Sequence, residues 1–492
     1  MKLFTIGDSI SQGFMSGAAA RTDLAYSTLI AQCMGIEEYR YPAWGADGLP
    51  INMETVLRRL VEKYGTNINL VEWTFALRIV NSVIDDSEDH YERGEGSADK
   101  PYAGGIDSFH NVAFQGCDVE DAWGLTATVC KQRIQEISEE EGSGDDDLIA
   151  FGPNASYYRT ALKVLNPSLE DTYNGYAQTD WLGHHADAEG VENLIVWLGA
   201  NNALGTVIGL DISQTDNDPN RRPYTMEHAE RAANEWNLWH PDDFEAGYTE
   251  LLNKIDEALG RQRGNCNVFV GNVPLVTIAP LAKGVGPTTT IRRDGKPSVY
   301  YKYYTYFPFE EEDAHGGDGP CLTMQEALHI DDCIRAYNRT IKRLLSEKNG
   351  GDGPIRYHLV DTCGVLESLA FKRNAGQVEY KYPRHFDYVY PRVDTKYYHA
   401  DTNGRLRQGG LFGLDGVHPT AIGQGIIAHE FMKIMKQEAG VEIKGNLDWP
   451  KIFKSDRLYT EPIPIMHELH NKDWLAKYLI ERFARGTTTP RK

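Results

Sequence analysis

One phrase recurs along this chain and limits its fold. A short apolar run is closed by a turn rich in glycine or proline, and residues at helical spacing follow. Residues 2–6 run into Gly7-Asp8-Ser9, and 109–114 into Gln115-Gly116-Cys117-Asp118. Residues 191–198 run into Gly199-Ala200-Asn201-Asn202, and 267–273 stop at Pro274. Residues 357–360 read as the last strand. Helical spacing predicts helices over 25–35, 52–64, 126–137, 244–259, 328–344 and 421–437, with a shorter helical stretch around Val119, Ala122 and Trp123. Strands alternating with helices predict an α/β fold, a mainly parallel sheet covered on both faces.

Between these units the pattern changes. Residues 84–107 turn acidic and Gly-rich and read as a surface excursion, and 139–147 as a solvated acidic loop. Residues 211–243 are polar and read as another excursion. Residues 284–319 and 380–398 are rich in tyrosine and read as irregular; 300–306 alone hold five tyrosines. A last helix is expected near 472–484. The expected organisation is one α/β domain over 1–440, with insertions near 65–107, 203–243, 284–326 and 372–410. An extension over 441–492 is expected to pack on it.

Net charge is −21, with no concentrated basic tract. That argues against nucleic acid or an anionic membrane surface as the main partner. The most apolar stretch, 267–282, contains Pro274 and Pro280 and is too short to span a bilayer. Seven cysteines are dispersed without a metal-like spacing, which suits free thiols. With no apolar leader before Ser9, the expected location is the cytoplasm, unless a leader was removed.

In an open α/β sheet the loops at the carboxyl ends of the strands share one rim. Four stretches would therefore converge: Gly7-Asp8-Ser9, Gln115-Gly116-Cys117, Gly199-Ala200-Asn201 and Asp415-Gly416-Val417-His418-Pro419. A serine is a weak nucleophile until a base takes its proton, and His418 is the residue type for that task. Asp415 could turn back to orient the imidazole. The oxyanion formed on an ester would need donors already in place, and the Ser9 and Gly116 N–H groups with the Asn201 amide could supply three. Gly45 also follows an aromatic stretch; the run 109–114 before it favours Gly116. Other catalytic patterns are missing: there is no Gly-x-Ser-x-Gly elbow, and His467-Glu468-Leu469-His470 is one residue short of a zinc helix.

Taken in order, the four stretches resemble the four signature blocks of the SGNH hydrolases, the GDSL esterases and lipases. Ser9 matches the nucleophile, Gly116 and Asn201 the oxyanion donors, and Asp415 and His418 the orienter and base. The resemblance implies a flavodoxin-like three-layer α/β/α sandwich and ester hydrolysis through an acyl-enzyme, with no metal or cofactor. Two features depart from the pattern. Asn202 stands where the third block usually has aspartate, and the chain is far longer than ordinary members. If that aspartate only braces its loop, an amide can replace it.

The expected substrate is an ester of lipid or acylated carbohydrate type, with the tyrosine-rich insertions tilting toward a bulky one. The same triad could pass the acyl group to an alcohol, as an acyltransferase. A binding or assembly protein that kept the fold and lost efficient chemistry is the reading from a different class. The sequence is silent on oligomeric state.

Overall fold

The computed structural model of the chain describes residues 1–65, 70–95, 100–102, 106–141, 154–293, 295–306, 309–314, 320–351, 353–402 and 406–464. The helix expected at 472–484 and most of the loop expected at 139–147 lie outside the described residues.

In chain order the longer strands are β1 (Phe4–Gly7), β2 (Asn193–Trp197), β3 (Cys266–Gly271), β4 (Ala282–Arg293), β5 (Lys296–Tyr306) and β6 (Ile355–Val360). Strands β1, β2, β3 and β6 pair in that order, all parallel, as the central sheet. Every residue of β1 and β2 is buried, which is why both read as near-continuous apolar runs. Successive side chains point to opposite faces of a strand. Phe4 meets the His185 ring of helix Gln178–Ala188, with centroids 5.5 Å apart. Trp197 lies opposite Gly7, three residues along the ladder, and so points the other way. It packs on Tyr26 of helix Tyr26–Met34 and on Phe431 of helix Ala421–Gln437. Helices therefore cover both faces. Helix Pro241–Leu259 packs between Gln178–Ala188 and Met324–Lys348.

The strand expected at 109–114 shrinks to one parallel bridge, Thr5 with Asn111, on the outer edge of β1. The Thr5 N–H donates to the His110 carbonyl at 2.8 Å, and the Val112 N–H to the Thr5 carbonyl at 3.0 Å. Asn111 ends the ladder because its side chain competes for the backbone. Its amide donates to the Ser11 carbonyl at 2.8 Å, and its Oδ1 accepts the Ala113 N–H at 3.0 Å.

Three stretches expected to be excursions or irregular contain regular structure. Residues 84–107 do not form a surface loop throughout, because helix Leu70–Tyr91 runs into them. Asp85, Asp86 and Asp89 are exposed, while Ile79, Val83 and Ile84 join Val56, Leu60, Leu458 and Ile463 in a second core. Residues 284–319 are not irregular throughout either. Strands β4 and β5 form a long antiparallel hairpin from Ala282 opposite Tyr306 to Arg293 opposite Lys296. Tyrosine and threonine favour strands, and Tyr300, Tyr304 and Tyr306 are the buried set. Within 203–243, His228–Ala233 is helical. Segment 441–464 packs on the rest through Trp449, Ile452, Phe453 and Leu458. All seven cysteines are free thiols. Among the described residues no helix is long and apolar enough to cross a membrane.

Candidate active site

Strand β1 ends at Gly7, where a Cβ would fall 2.3 Å from the Ser11 hydroxyl, so only glycine fits. Asp8 then caps the one-turn helix Ser9–Gln12, its Oδ1 accepting the Ile10 N–H at 3.0 Å. Ser9 is the first residue of that turn and is buried. At the other end of the chain, Asp415 folds its own loop. Its Oδ1 accepts the N–H groups of Val417 at 2.9 Å and His418 at 2.8 Å. That turn needs Gly416, at φ 67°, where any Cβ would press on the Tyr397 hydroxyl and the Leu281 N–H.

The two ends meet. His418 Nε2 lies 2.9 Å from Ser9 Oγ, within hydrogen-bond reach. On its far side, His418 Nδ1 lies 3.2 Å from Asp415 Oδ2, an ion-pair distance not aligned as a linear hydrogen bond. Such bonds commonly straighten when substrate closes the site. The same Oδ2 accepts the Gly17 N–H at 2.9 Å, and the Phe14 ring packs on the imidazole at 4.5 Å. Serine, histidine and aspartate thus stand in sequence as an acyl-transfer triad requires.

The two buried carboxyls here differ in kind. Burial alone would raise Asp415, yet the adjacent His418 and the N–H groups around it carry it below the ordinary carboxylate range. Asp415 is therefore an anion held ready beside the imidazole. Burial pushes the Asp8 carboxyl up to about 7, only partly offset by the Ile10 N–H and by His418.

Gly116 and Asn201 are brought together by the residue between them. The Asn201 amide donates to the Cys117 carbonyl at 2.8 Å, which leaves its second hydrogen uncommitted to that bond. Gly116 has φ 74°, and a Cβ there would sit 2.9 Å from the Tyr157 ring. Asn202 braces the same loop, its Oδ1 accepting the Val119 N–H at 3.3 Å. Gly45 lies elsewhere, its carbonyl accepting the Tyr91 hydroxyl at 2.7 Å.

Several supporting residues escaped the sequence reading. Gln12 Oε1 accepts the Gln115 N–H at 2.9 Å and ties the serine turn to the Gly116 turn. Gln178 donates to the carbonyls of Gly7 at 2.9 Å and Val112 at 2.8 Å. A glutamine three residues after a candidate nucleophile, inside an otherwise small-residue turn, is a signal that could have been read for Gln12. Glu120, Asp121 and His228 lie close enough together to hold a metal ion. The Arg231 guanidinium, paired with both carboxylates, is the cation placed there.

No protein-family model matches this chain, and no curated protein matches it.

Proposed function

We propose that the chain is a serine ester hydrolase of the SGNH type. One observation carries the reading: Ser9 Oγ stands 2.9 Å from His418 Nε2, with the Asp415 carboxylate 3.2 Å behind the imidazole. The finer fold expectation is supported too. Counting the Asn111 bridge as a strand, the parallel order by position in the chain is 2-1-3-4-5, the flavodoxin-like order.

In this reading Ser9 Oγ attacks the ester carbonyl carbon while His418 Nε2 takes its proton. Asp415 stabilises the imidazolium. The oxyanion is held by the Ser9 and Gly116 N–H groups and the free hydrogen of the Asn201 amide. Collapse breaks the bond to the alcohol, which leaves with the proton from Nε2. Water, deprotonated by His418, then attacks the acyl-enzyme, and Ser9 recovers its proton as the acid departs. The substrate class is an ester of lipid or acylated carbohydrate.

The test is covalent labelling with a fluorophosphonate, which needs an activated serine but no knowledge of the substrate. Label is expected on Ser9 at neutral pH and is lost in Ser9→Ala. Hydrolysis of p-nitrophenyl esters from acetate to palmitate then sorts acyl length. Folded wild type that takes no label overturns the proposal in favour of a binding protein.

A further inference from the structure

Five charged or titratable side chains lie directly behind the Gly116 turn. Asp118, Glu120 and Asp121 follow the glycine in the chain, while His228 and Arg231 come from helix His228–Ala233. Their side chains are 3%, 4%, 4%, 7% and 5% exposed, so water does little to screen them. Three carboxylates buried without a counter-charge would be strongly unfavourable. Arg231 supplies it, forming ion pairs with Glu120 and Asp121 and placing Nε 3.4 Å from Asp118 Oδ2. His228 adds a second link, with Nδ1 3.0 Å from Asp121 Oδ1 and Nε2 3.1 Å from the Tyr158 hydroxyl.

The cluster reaches the candidate oxyanion donors by two short paths. Asp121 Oδ2 accepts the Tyr157 hydroxyl at 2.7 Å, and the Tyr157 ring is the surface on which Gly116 rests. Asp118 Oδ1 accepts the N–H groups of Glu120 at 3.0 Å and Asp121 at 3.1 Å, which fixes the turn leaving Cys117. The carbonyl of Cys117 is the acceptor that holds Asn201.

We propose that Arg231 is a positioning residue for the oxyanion site: it holds the Asp121–Tyr157 support under Gly116 and offsets part of the carboxylate charge behind it. This rests on the ester-hydrolase reading above. Arg231 touches no reacting atom. Its loss would loosen the Gly116 turn and leave excess negative charge next to the place where a second negative charge must form. The segment that reads as a polar excursion is thereby part of the catalytic apparatus.

The test compares wild type, Arg231→Met, Arg231→Lys and the double variant Glu120→Gln/Arg231→Met, by the rate of fluorophosphonate labelling at Ser9 and by kcat and KM on a p-nitrophenyl ester. Arg231→Met is expected to lower the labelling rate and kcat roughly 10- to 100-fold, with KM changed far less. Arg231→Lys and the charge-balanced double variant should each recover most of that loss, which a purely structural role would not produce. Should Arg231→Met fail to fold, Arg231→Gln takes its place and is read against the same limits. Labelling within threefold of wild type in folded Arg231→Met overturns the inference, and so does a loss that neither rescue variant repairs. Wild type that takes no label removes the hydrolase reading itself, and the inference with it.

Discussion

The two ends of β1 hold histidines in opposite circumstances. At the amino end, His185 and His110 lie 5.7 Å apart among Phe4, Trp181 and Tyr39. Burial pushes both down to about 4, even with Glu189 3.1 Å from His185. They are packing residues that happen to carry nitrogens. At the carboxyl end, His418 has a serine hydroxyl on one nitrogen and a carboxylate beside the other. What separates a candidate base from a core histidine here is the oxygen atoms arranged around the ring.

That contrast can be broken in four ways, beginning with the largest effect. Ser9→Ala and His418→Ala should each lower kcat on a p-nitrophenyl ester by at least about 10³-fold, because the pair acts as a unit. A loss below tenfold in either would return His418 to the same standing as His185. Asn201→Ala should cost roughly 10²–10³ in kcat, as removal of one oxyanion donor typically does. A loss of less than about threefold would take Asn201 out of the site.

The third way uses Asp8. Its folded value of about 7 lies above the ordinary carboxyl value of 3.8, so the unfolded chain gives up its proton first as pH rises. The Asp8 contribution to stability should therefore fall from about pH 4 to 7 and level off above, by an amount on the order of 4 kcal/mol, read as the difference between wild type and Asp8→Asn because the buried histidines contribute with the opposite sign. Asp8→Asn keeps the cap on Ile10 and should remove that fall. Parallel urea midpoints for the two proteins from pH 4 to 8 would contradict this.

The fourth way turns to the opposite end and has the opposite sign. His185, at about 4 when folded and 6.5 when free, should cost stability as pH falls through that interval. The loss is no more than about 3 kcal/mol. His185→Asn should flatten that slope and leave kcat within about twofold of wild type. An activity loss comparable to that of His418→Ala would erase the distinction between the two ends.

The site residues were legible because each sits in a short local signal. Asp415 and His418 are three apart in a turn that Gly416 makes possible, and Ser9 follows a strand closed by a glycine that only glycine can satisfy. The central strands were legible as apolar runs, since sheets covered on both faces leave no alternation to disguise them. Hairpin β4–β5 was not. Tyr301 and Tyr303 on one face mirror Tyr300 and Tyr304 on the other, and tyrosine on both sides hides the period of two. Helix Leu70–Tyr91 hid its apolar stripe behind a run of acidic residues. The pairing of Arg231 with Asp121 spans 110 residues and leaves no periodic trace at either position. Asn202 was readable as a departure, and its brace on Val119 gives the amide a place in the loop.

The distance along the chain between Ser9 and His418, 409 residues, has a consequence for how the protein is made. Even β1 has no sheet neighbour of full length until β2 arrives, nearly two hundred residues later in synthesis. Contacts this remote in sequence make folding slow, because loop closure must precede the stabilising contacts. They also make it sequential. A ribosome-bound or prematurely released chain carries Ser9 without His418. In the proposed reading, reactivity at Ser9 is thus a property that the polypeptide acquires only when its C-terminal half has folded onto its beginning.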